Sequence, residues 1–507
     1  MIFLTISLNQ IETLLKESNL LKEYIHQGKW HYNLPLSNRE LTHISYDSRD
    51  VSEDTLFFCK GAGFKATYLE QASNEGLAIY VSETPFDVDL DLGIIVTDIR
   101  KAMAILSMAF YGYPQEKLKL IAFTGTKGKT TSAYFLKYIL DAYNHNKTAM
   151  LSTMNSTLDG KNYFKSHLTT PESLDLYRMM AEAVENNMSH LVMEVSSQAY
   201  KLNRVYGLMF DVGIFLNISP DHISPIEHPT FDDYYYCKRQ LIKHSRQLIV
   251  NLDTKDVEVI LEEAKELGIP TYTYSSNNQQ ADYYWEKGCC AKCFFVKSKE
   301  DTLKIDGKYK VSLMGDFNKD NALASIMAAS LLNVDIESCK KGLKEAVVPG
   351  RMEQLTQKNG SVVYIDYAHN KVSLTSLLSF AKSEHQNGRI ITVIGSTGDK
   401  ATSRRKDFGE VLNDYTDVVF LTSDDPGNEN PKEIAEEISQ YITNDEVQIF
   451  TVIDRKDAIE KALELAKSKD TVILAGKGRD LYQKVNGIDT PYLGDFTIAE
   501  EFINKQP

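Results

Sequence analysis

Residues 117–131 read KLKLIAFTGTKGKTT, and no other stretch constrains the fold of this chain as tightly. An apolar run (Leu118, Leu120, Ile121, Phe123) stops at Thr124-Gly125. The Gly128-Lys129-Thr130-Thr131 cluster then opens a segment in which Tyr134, Phe135, Tyr138, Ile139, Ala142 and Tyr143 recur at helical spacing. Strand, glycine turn and helix start in that order make a phosphate cradle. Backbone N–H groups and the helix dipole face the anion, the Lys129 ammonium reaches terminal phosphates, and the Thr130 hydroxyl can hold a magnesium ion. Thr124, Gly125, Thr126, Lys127, Gly128, Lys129 and Thr130 are therefore the candidate ATP loop. Phe123 stands where G-x-x-x-x-G-K-[ST] has its first glycine, so the loop is a shortened form, distinct from that of kinases and GTPases. An ordinary βα turn containing Gly-Lys is the alternative, but Gly125, Gly128, Lys129 and Thr130 all fall in register.

A chain of 507 residues should hold roughly three domains. Its net charge of −14 argues against wrapping nucleic acid or an anionic membrane, so an anionic substrate would need local basic groups. The opening MIFLTISL is too short for a signal segment and lacks a basic flank, and no apolar run approaches the ~20 residues that span a bilayer. The expected location is the cytoplasm. Six cysteines in so long a chain do not make a disulfide framework. Cys289, Cys290 and Cys293 cluster like a metal knuckle but lack a fourth ligand at usable spacing, and they are read as free thiols in a hairpin.

The expected fold class is α/β in three domains: a small mixed N-terminal domain (1–113), a central P-loop ATPase-like parallel sheet (114–346) and a C-terminal Rossmann-like doubly wound domain (347–507). After the cradle, residues 189–196, 211–218 and 247–251 read as strands of βαβ units. In the last third, residues 362–367, 390–395, 418–423, 447–453 and 472–475 are strand candidates, with helix-periodic stretches at 431–442 and 454–467 between them. Polar clusters follow the strands at 124–131, 194–198, 217–222, 366–370, 395–400, 424–430 and 476–480. Ligands of open α/β sheets bind at those carboxyl ends.

Glu194 ends an apolar strand, where a carboxylate without a partner is costly. A cation at the cradle would supply one, with the His222 imidazole nearby; a paired structural carboxylate is the other reading. Lys238 lies in the helix-periodic segment 231–244 and, taken alone, reads as a solvated surface lysine.

The T-G-T-x-G-K-T-T loop is followed, in order, by Thr169-Thr170-Pro171-Glu172, Met193-Glu194-Val195-Ser196-Ser197-Gln198-Ala199, residues 217–222, Gly315-Asp316-Phe317-Asn318, Gly350-Arg351-Met352-Glu353 and Asp366-Tyr367-Ala368-His369-Asn370. This series resembles the Mur ligases, ATP-dependent amino-acid ligases that build the peptidoglycan stem peptide, over nearly the whole chain. Within the family the chain is similar to the branch that adds the third residue, a diamino acid, to UDP-N-acetylmuramoyl-L-alanyl-D-glutamate. Asp47-Ser48-Arg49 resembles that branch's uridine-nucleotide contact. The resemblance implies that Lys129 and its loop hold the ATP phosphates, and that Thr130, Glu194, His222 and a carbamylated Lys238 hold magnesium. It further implies that Ser48, Thr169, Thr170, Ser196 and Arg204 contact the UDP-sugar peptide, and that Asn318, Arg351 and Asp366 contact the adenosine nucleotide. Carbamylation has a physical logic, since an ammonium cannot ligate magnesium while a carbamate offers it anionic oxygens. The implied chemistry is activation of the D-glutamate γ-carboxylate as an acyl phosphate, which the incoming amine attacks. The implied catalytic residues are Lys129, Lys238, Glu194 and His222, and the chain is expected to act as a monomer.

Residues 422–430 (TSDDPGNEN) bear on the amino acid. Diaminopimelate-adding relatives carry D-N-P-R here, and the arginine grips the substrate's distal carboxylate. Gly427 stands at the arginine's place and Asp425 at the asparagine's. Losing that guanidinium should cost a few kcal/mol, and an added carboxylate favours a distal ammonium. With Asp424, Pro426 and Asp480 completing an acidic pocket, and Arg405 resembling the reader of the α-carboxylate, L-lysine is predicted. Ornithine, one methylene shorter, is separated by only ~1–3 kcal/mol. The same residues also suit a plain turn before the helix at Pro431. The nearest enzyme rival, a folate polyglutamate ligase, shares the loop but lacks the Asp-Ser-Arg-bearing N-terminal domain. A nucleotide-gated scaffold with a dead site would not need Lys129, Thr130, Glu194, His222 and Lys238 intact.

Overall fold

The computed structural model describes residues 4–61, 63–220, 223–224, 227–276, 278–385, 387–399 and 402–506. The chain divides into two compact units, one of residues 1–312 and 316–346 and the other of residues 313–315 and 347–507.

The first unit carries two large sheets. One is built from β1 (Leu21–His26), β2 (Lys29–His31), β3 (His43–Ser45), β4 (Thr55–Phe58), β5 (Ile79–Ser82) and β6 (Leu92–Val96), in the order β2-β1-β6-β5-β4-β3. The pairs from β6 to β3 are parallel. Strands β4, β5 and β6 are buried at every position, as expected of unbroken apolar runs in a sheet covered on both faces. Helix α1 (Ile99–Phe110), capped by the Asp98 carboxylate, places Ala104 and Met108 in one apolar cluster with Leu176 and Tyr177 of α3 (Ser173–Glu185).

The other sheet has nine strands: β7 (Lys119–Thr124), β8 (Thr148–Leu151), β9 (His190–Glu194), β10 (Val212–Phe215), β11 (Leu248–Asn251), β12 (Thr271–Ser275), β13 (Tyr283–Lys287), β14 (Cys293–Ser298) and β15 (Gly307–Lys310). They lie in the order β8-β9-β7-β10-β11-β12-β13-β14-β15. Pairing is parallel as far as β13 and antiparallel beyond it. Helix α2 (Lys129–Asn144) follows β7 directly, so the strand–turn–helix read from sequence is present.

The hairpin of β14 and β15 forms where expected, but the reading of free thiols does not hold throughout. The turn between β13 and β14 brings the Cα atoms of Cys290 and Cys293 to 5.0 Å and the two are joined as a disulfide, while Cys289 stays free and exposed.

The second unit holds β16 (Glu353–Thr356), β17 (Val362–Asp366), β18 (Ile390–Ile394), β19 (Val418–Leu421), β20 (Gln448–Thr451) and β21 (Thr471–Ala475), in the order β16-β17-β21-β18-β19-β20. All pairs but β16-β17 are parallel. Each of the five expected runs is a strand; the first four are trimmed by one to three residues and the last begins one residue earlier, at Thr471. Strand β20 lies at the sheet edge and is exposed at every position, so its Ile449 and Phe450 are not core residues despite their apolarity. Deep in this unit the Arg455 guanidinium donates to both oxygens of the fully buried Asp495, at 2.8 and 2.7 Å, and to the Ala475 carbonyl at 2.7 Å.

Candidate active site

Parallel register sets the site's floor. Glu194 pairs with Phe123 and Phe215 with Thr124, so β9, β7 and β10 end level and release their loops side by side. The loop after β7 turns at Gly128, whose φ of +83° favours glycine; a Cβ there would lie 2.4 Å from Asn321 Oδ1. Asn217, just past β10, braces the turn by accepting from the Lys127 N–H at 2.9 Å and donating to the Lys127 carbonyl at 3.0 Å. The Thr124 hydroxyl donates to the Val195 carbonyl at 2.9 Å.

Two ammonium groups converge on one carbonyl. Lys129 Nζ donates to Gly125 O at 2.8 Å and to Thr126 O at 3.2 Å, and Lys238 Nζ donates to the same Gly125 O at 2.8 Å. Lys238 sits on α5 (Phe231–Lys243) and is 2% exposed, so it is not the solvated lysine that residues 231–244 alone suggest. Its ammonium stands 4.9 Å over the ring of Tyr234, whose hydroxyl lies 3.1 Å from Thr126 Oγ1 in the loop. Glu194 is fully buried. It accepts from the Thr130 hydroxyl at 2.8 Å, from the Thr153 N–H at 2.8 Å and from the Thr153 hydroxyl at 3.0 Å. Thr130 and Glu194 therefore present hard oxygen donors side by side at the helix start, a donor set that fits magnesium. His222, the imidazole expected with them, lies outside the described residues.

A polar cluster adjoins this floor. The Thr170 hydroxyl donates to the Glu194 carbonyl at 3.0 Å and accepts from the Ser196 N–H at 3.1 Å; the Thr153 hydroxyl lies 3.1 Å from that of Thr169. Arg204 donates to Glu172 at 3.0 Å and to the Thr170 carbonyl at 3.3 Å. Glu172 also pairs with Lys60 at 3.1 Å and Arg100 at 3.3 Å. Burial pushes this carboxyl up, yet Lys60, Arg204 and Arg100 outweigh it and hold Glu172 below the usual range. Ser48 sits in the turn after β3, beside an exposed Asp47–Arg49 pair at 2.7 Å. Asn318, 2% exposed near the start of α6 (Asp316–Leu331), accepts from Asn321 Nδ2 at 3.3 Å.

In the second unit, Asp366 ends β17 and accepts from the Met352 N–H at 2.8 Å; burial raises its carboxyl despite Arg351. The acidic residues do gather, but around a cation of the protein's own. Lys477, 1% exposed, lies 2.9 Å from Asp425 and 3.4 Å from Asp480, with its ammonium 5.1 Å over the Tyr482 ring. Burial raises the Asp424 carboxyl to about 6, opposed by Arg455 and Lys477. Pro426 and Gly427 complete the turn, in which the Gly427 N–H donates to Lys484 O at 3.0 Å.

Arg405 is engaged with the protein's own carboxylates. Buried on α7 (Ser403–Tyr415), its guanidinium donates to Glu437 at 2.8 Å and to Glu429 at 2.7 Å. The guanidinium thereby braces α7 against the 424–430 loop, while its Nε–H meets no partner among the described residues. Sequence reading also missed Thr153, Tyr234, Lys60, Arg100 and Lys477. Lys477 alone carried a signal, its place in the Gly-Lys-Gly-Arg-Asp run.

Fold and loop together define a P-loop-type nucleotide-binding α/β protein. Residues 123–329 match the Mur ligase middle domain and residues 350–478 the Mur ligase glutamate ligase domain. The UDP-N-acetylmuramoyl-L-alanyl-D-glutamate–L-lysine ligase of Enterococcus faecalis is 58% identical, covering 99% of this chain and all of that protein. The enzyme of the same name from Streptococcus pneumoniae is 50% identical, over 98% of this chain and all of that protein. A solved UDP-N-acetylmuramoyl-L-alanyl-D-glutamate–2,6-diaminopimelate ligase aligns with a TM-score of 0.67 at 24% identity, covering 93% of this chain and 97% of that one, a likeness of fold. The chain belongs to the Mur ligase family.

Gly427 has a φ of +59°, and a Cβ there would lie 2.1 Å from Asp399 Oδ2. Gly427→Ala is expected to lower unfolding stability by about 1–2 kcal/mol, read from urea denaturation. An unshifted midpoint would show that the loop relaxes freely.

Proposed function

We propose that the chain is an ATP-dependent ligase that joins L-lysine to the D-glutamate γ-carboxylate of UDP-N-acetylmuramoyl-L-alanyl-D-glutamate, in cytoplasmic synthesis of peptidoglycan precursor. The convergence of Lys129 and Lys238 on the Gly125 carbonyl, beside Thr130 and Glu194, carries the reading. The names of the E. faecalis and S. pneumoniae relatives support the substrate pair. No helix among the described residues is long and apolar enough to cross a membrane.

Residues 1–113 bind the uridine end through Ser48, residues 114–346 bind ATP and carry the chemistry, and residues 347–507 bind the amino acid. Thr169, Thr170, Ser196 and Arg204 hold the sugar peptide, with Lys60 and Arg100 as further cations beside Glu172. Lys129 leaves its loop carbonyls to follow the ATP phosphates, an exchange of neutral acceptors for anionic ones. Asn318, Arg351 and Asp366 contact the adenosine. Magnesium would be held by Thr130, Glu194, His222 and Lys238 as its carbamate, and bound there would offset phosphate charge. A γ-carboxylate oxygen attacks the terminal phosphorus and ADP leaves. The lysine α-amine then attacks the acyl carbon, sheds a proton, and inorganic phosphate departs. Asp424, Asp425 and Asp480 read the distal ammonium. The chain acts as a monomer, without nucleic acid or membrane.

Incubation with UDP-muramoyl dipeptide, ATP and a panel of lysine, ornithine, diaminopimelate and glutamate should yield the lysine adduct by mass, with inorganic phosphate released only when both the dipeptide and the amino acid are present. A dominant diaminopimelate adduct, or ADP release driven by pteroylglutamate, would overturn the assignment. Lys238→Ala should lose at least about a hundredfold in kcat and recover part of it with short carboxylic acids; unchanged turnover would remove Lys238 from the chemistry. Because Asp424 titrates near 6 and the ionised form attracts an ammonium, the KM for lysine should rise as pH falls through 6 and be flatter in Asp424→Asn. Equal pH profiles would mean that Asp424 does not face the substrate.

A further inference from the structure

Helix α5 has two working faces. Tyr234 and Lys238 look toward the ATP loop, whereas Asp233, Tyr236, Cys237, Gln240 and His244 recur at the spacing of another face and line a pocket of about 440 Å³. The far wall is α4 (Ser197–Lys201) with the turn after it, through Tyr200, Lys201, Asn203 and Tyr206; Lys101 of α1 closes one side. The volume lies within the range of small-molecule sites.

Its chemistry is opposite in sign to the chain as a whole. The net charge of the protein is −14, yet the lining carries Lys101, Lys201 and Lys243 against the single carboxylate of Asp233. Lys201 is held 2.6 Å from Asp233, and Lys101 lies 3.7 Å from Asp98. Lys243 is exposed and has no ion-pair partner among the described residues. Burial holds His244 below its ordinary range, so it adds no lasting positive charge. Flat surfaces accompany the cations: Tyr200 stacks on His244 with centroids 5.6 Å apart and planes 24° from parallel, and Tyr236 is 56% exposed.

We propose that this pocket is a second ligand site, for a small anion carrying a planar ring, and that its occupant regulates the ligase through α5. The anion pairs with Lys243 and Lys101, while the ring lies against the tyrosines. A body between α4 and α5 bears on both helices that lead to the site: α4 follows Ser196 directly, and α5 carries Lys238 on its other side. His228 already couples them. Fully buried, it stands 2.9 Å from Ser197 and 2.6 Å from Asp233, so a push on one helix reaches the other. Displacement of catalytic groups by an ångström is worth up to about a hundredfold in rate.

The effect on rate rests on the role proposed for Lys238; binding does not. The test titrates the full-length protein with 1-naphthyl phosphate, which has neither adenine nor uridine, by probe fluorescence at saturating ATP and UDP-muramoyl dipeptide. Saturable binding is expected, weakened at least about tenfold in Lys243→Glu and in Lys101→Glu. Lysine adduct formation should slow with the probe in the parent protein and not in Lys243→Glu, whose rate without probe should match the parent's. No saturable binding, displacement by either substrate, or equal affinity in both variants would overturn the site. Lys243-dependent binding that leaves turnover untouched would overturn the regulatory coupling alone.

Discussion

Everything at the candidate catalytic centre depends on three parallel strands ending at one level. The β9-β7-β10 register pairs Glu194 with Phe123 and Phe215 with Thr124. Slipping one strand by a residue would reverse its side chains between the sheet's two faces. Glu194 would then turn from Thr130, and Asn217 could no longer brace the turn at Lys127. Thus the apolar packing of β7, β9 and β10, each buried along nearly all its length, fixes where the polar atoms go. Burial supplies most of the free energy and register supplies the chemistry.

Burial of charge follows from the same arrangement. Lys238, Glu194 and Glu172 are all withdrawn from water, and each is tolerated because hydrogen bonds or opposite charges meet it. Glu172 is the clearest case, since three cations outweigh the cost of its desolvation. Such clusters are poised for an anionic ligand, because an incoming carboxylate or phosphate can share cations that are already gathered and partly dehydrated. A chain with excess negative charge needs these local inversions to hold anionic substrates at all.

How much of this was legible in the sequence depends on the range of the cause. The P-loop-like turn was legible because its determinants are contiguous: an apolar run, glycines and a helix start within fifteen residues. The β17 to β21 strands were legible as apolar runs, although the exposure of Ile449 and Phe450 on β20 was not, since a strand's edge position follows from pairing order. The burial of Lys238 was invisible because the atoms that cover it, such as Gly125 O, lie more than a hundred residues away. The pairing of Arg405 was invisible for a similar reason. Its guanidinium is taken by Glu429 and Glu437, and nothing local to residues 403–406 announces them. The joined Cys290 and Cys293 depend on a turn geometry that spacing alone leaves open.

Lys477 changes how the acidic pocket of the second unit works. Asp424 is buried and Asp425 and Asp480 are half-buried, and Lys477 provides a cation among them from within. Burial alone would lower the Lys477 ammonium, but the three carboxylates hold it above its ordinary value. Arg455, 4.0 Å from Asp424, is mostly committed to Asp495. The pocket is therefore incompletely neutralised, and the shortfall appears as the raised Asp424 carboxyl. A second ammonium entering beside Lys477 would reduce that imbalance and favour the ionised Asp424. A carboxylate entering there would meet like charges, and Gly427 offers it no side chain to grip. On the proposed function, discrimination between amino acids that differ at the far end would rest on this excess of negative charge rather than on an arginine-sized switch.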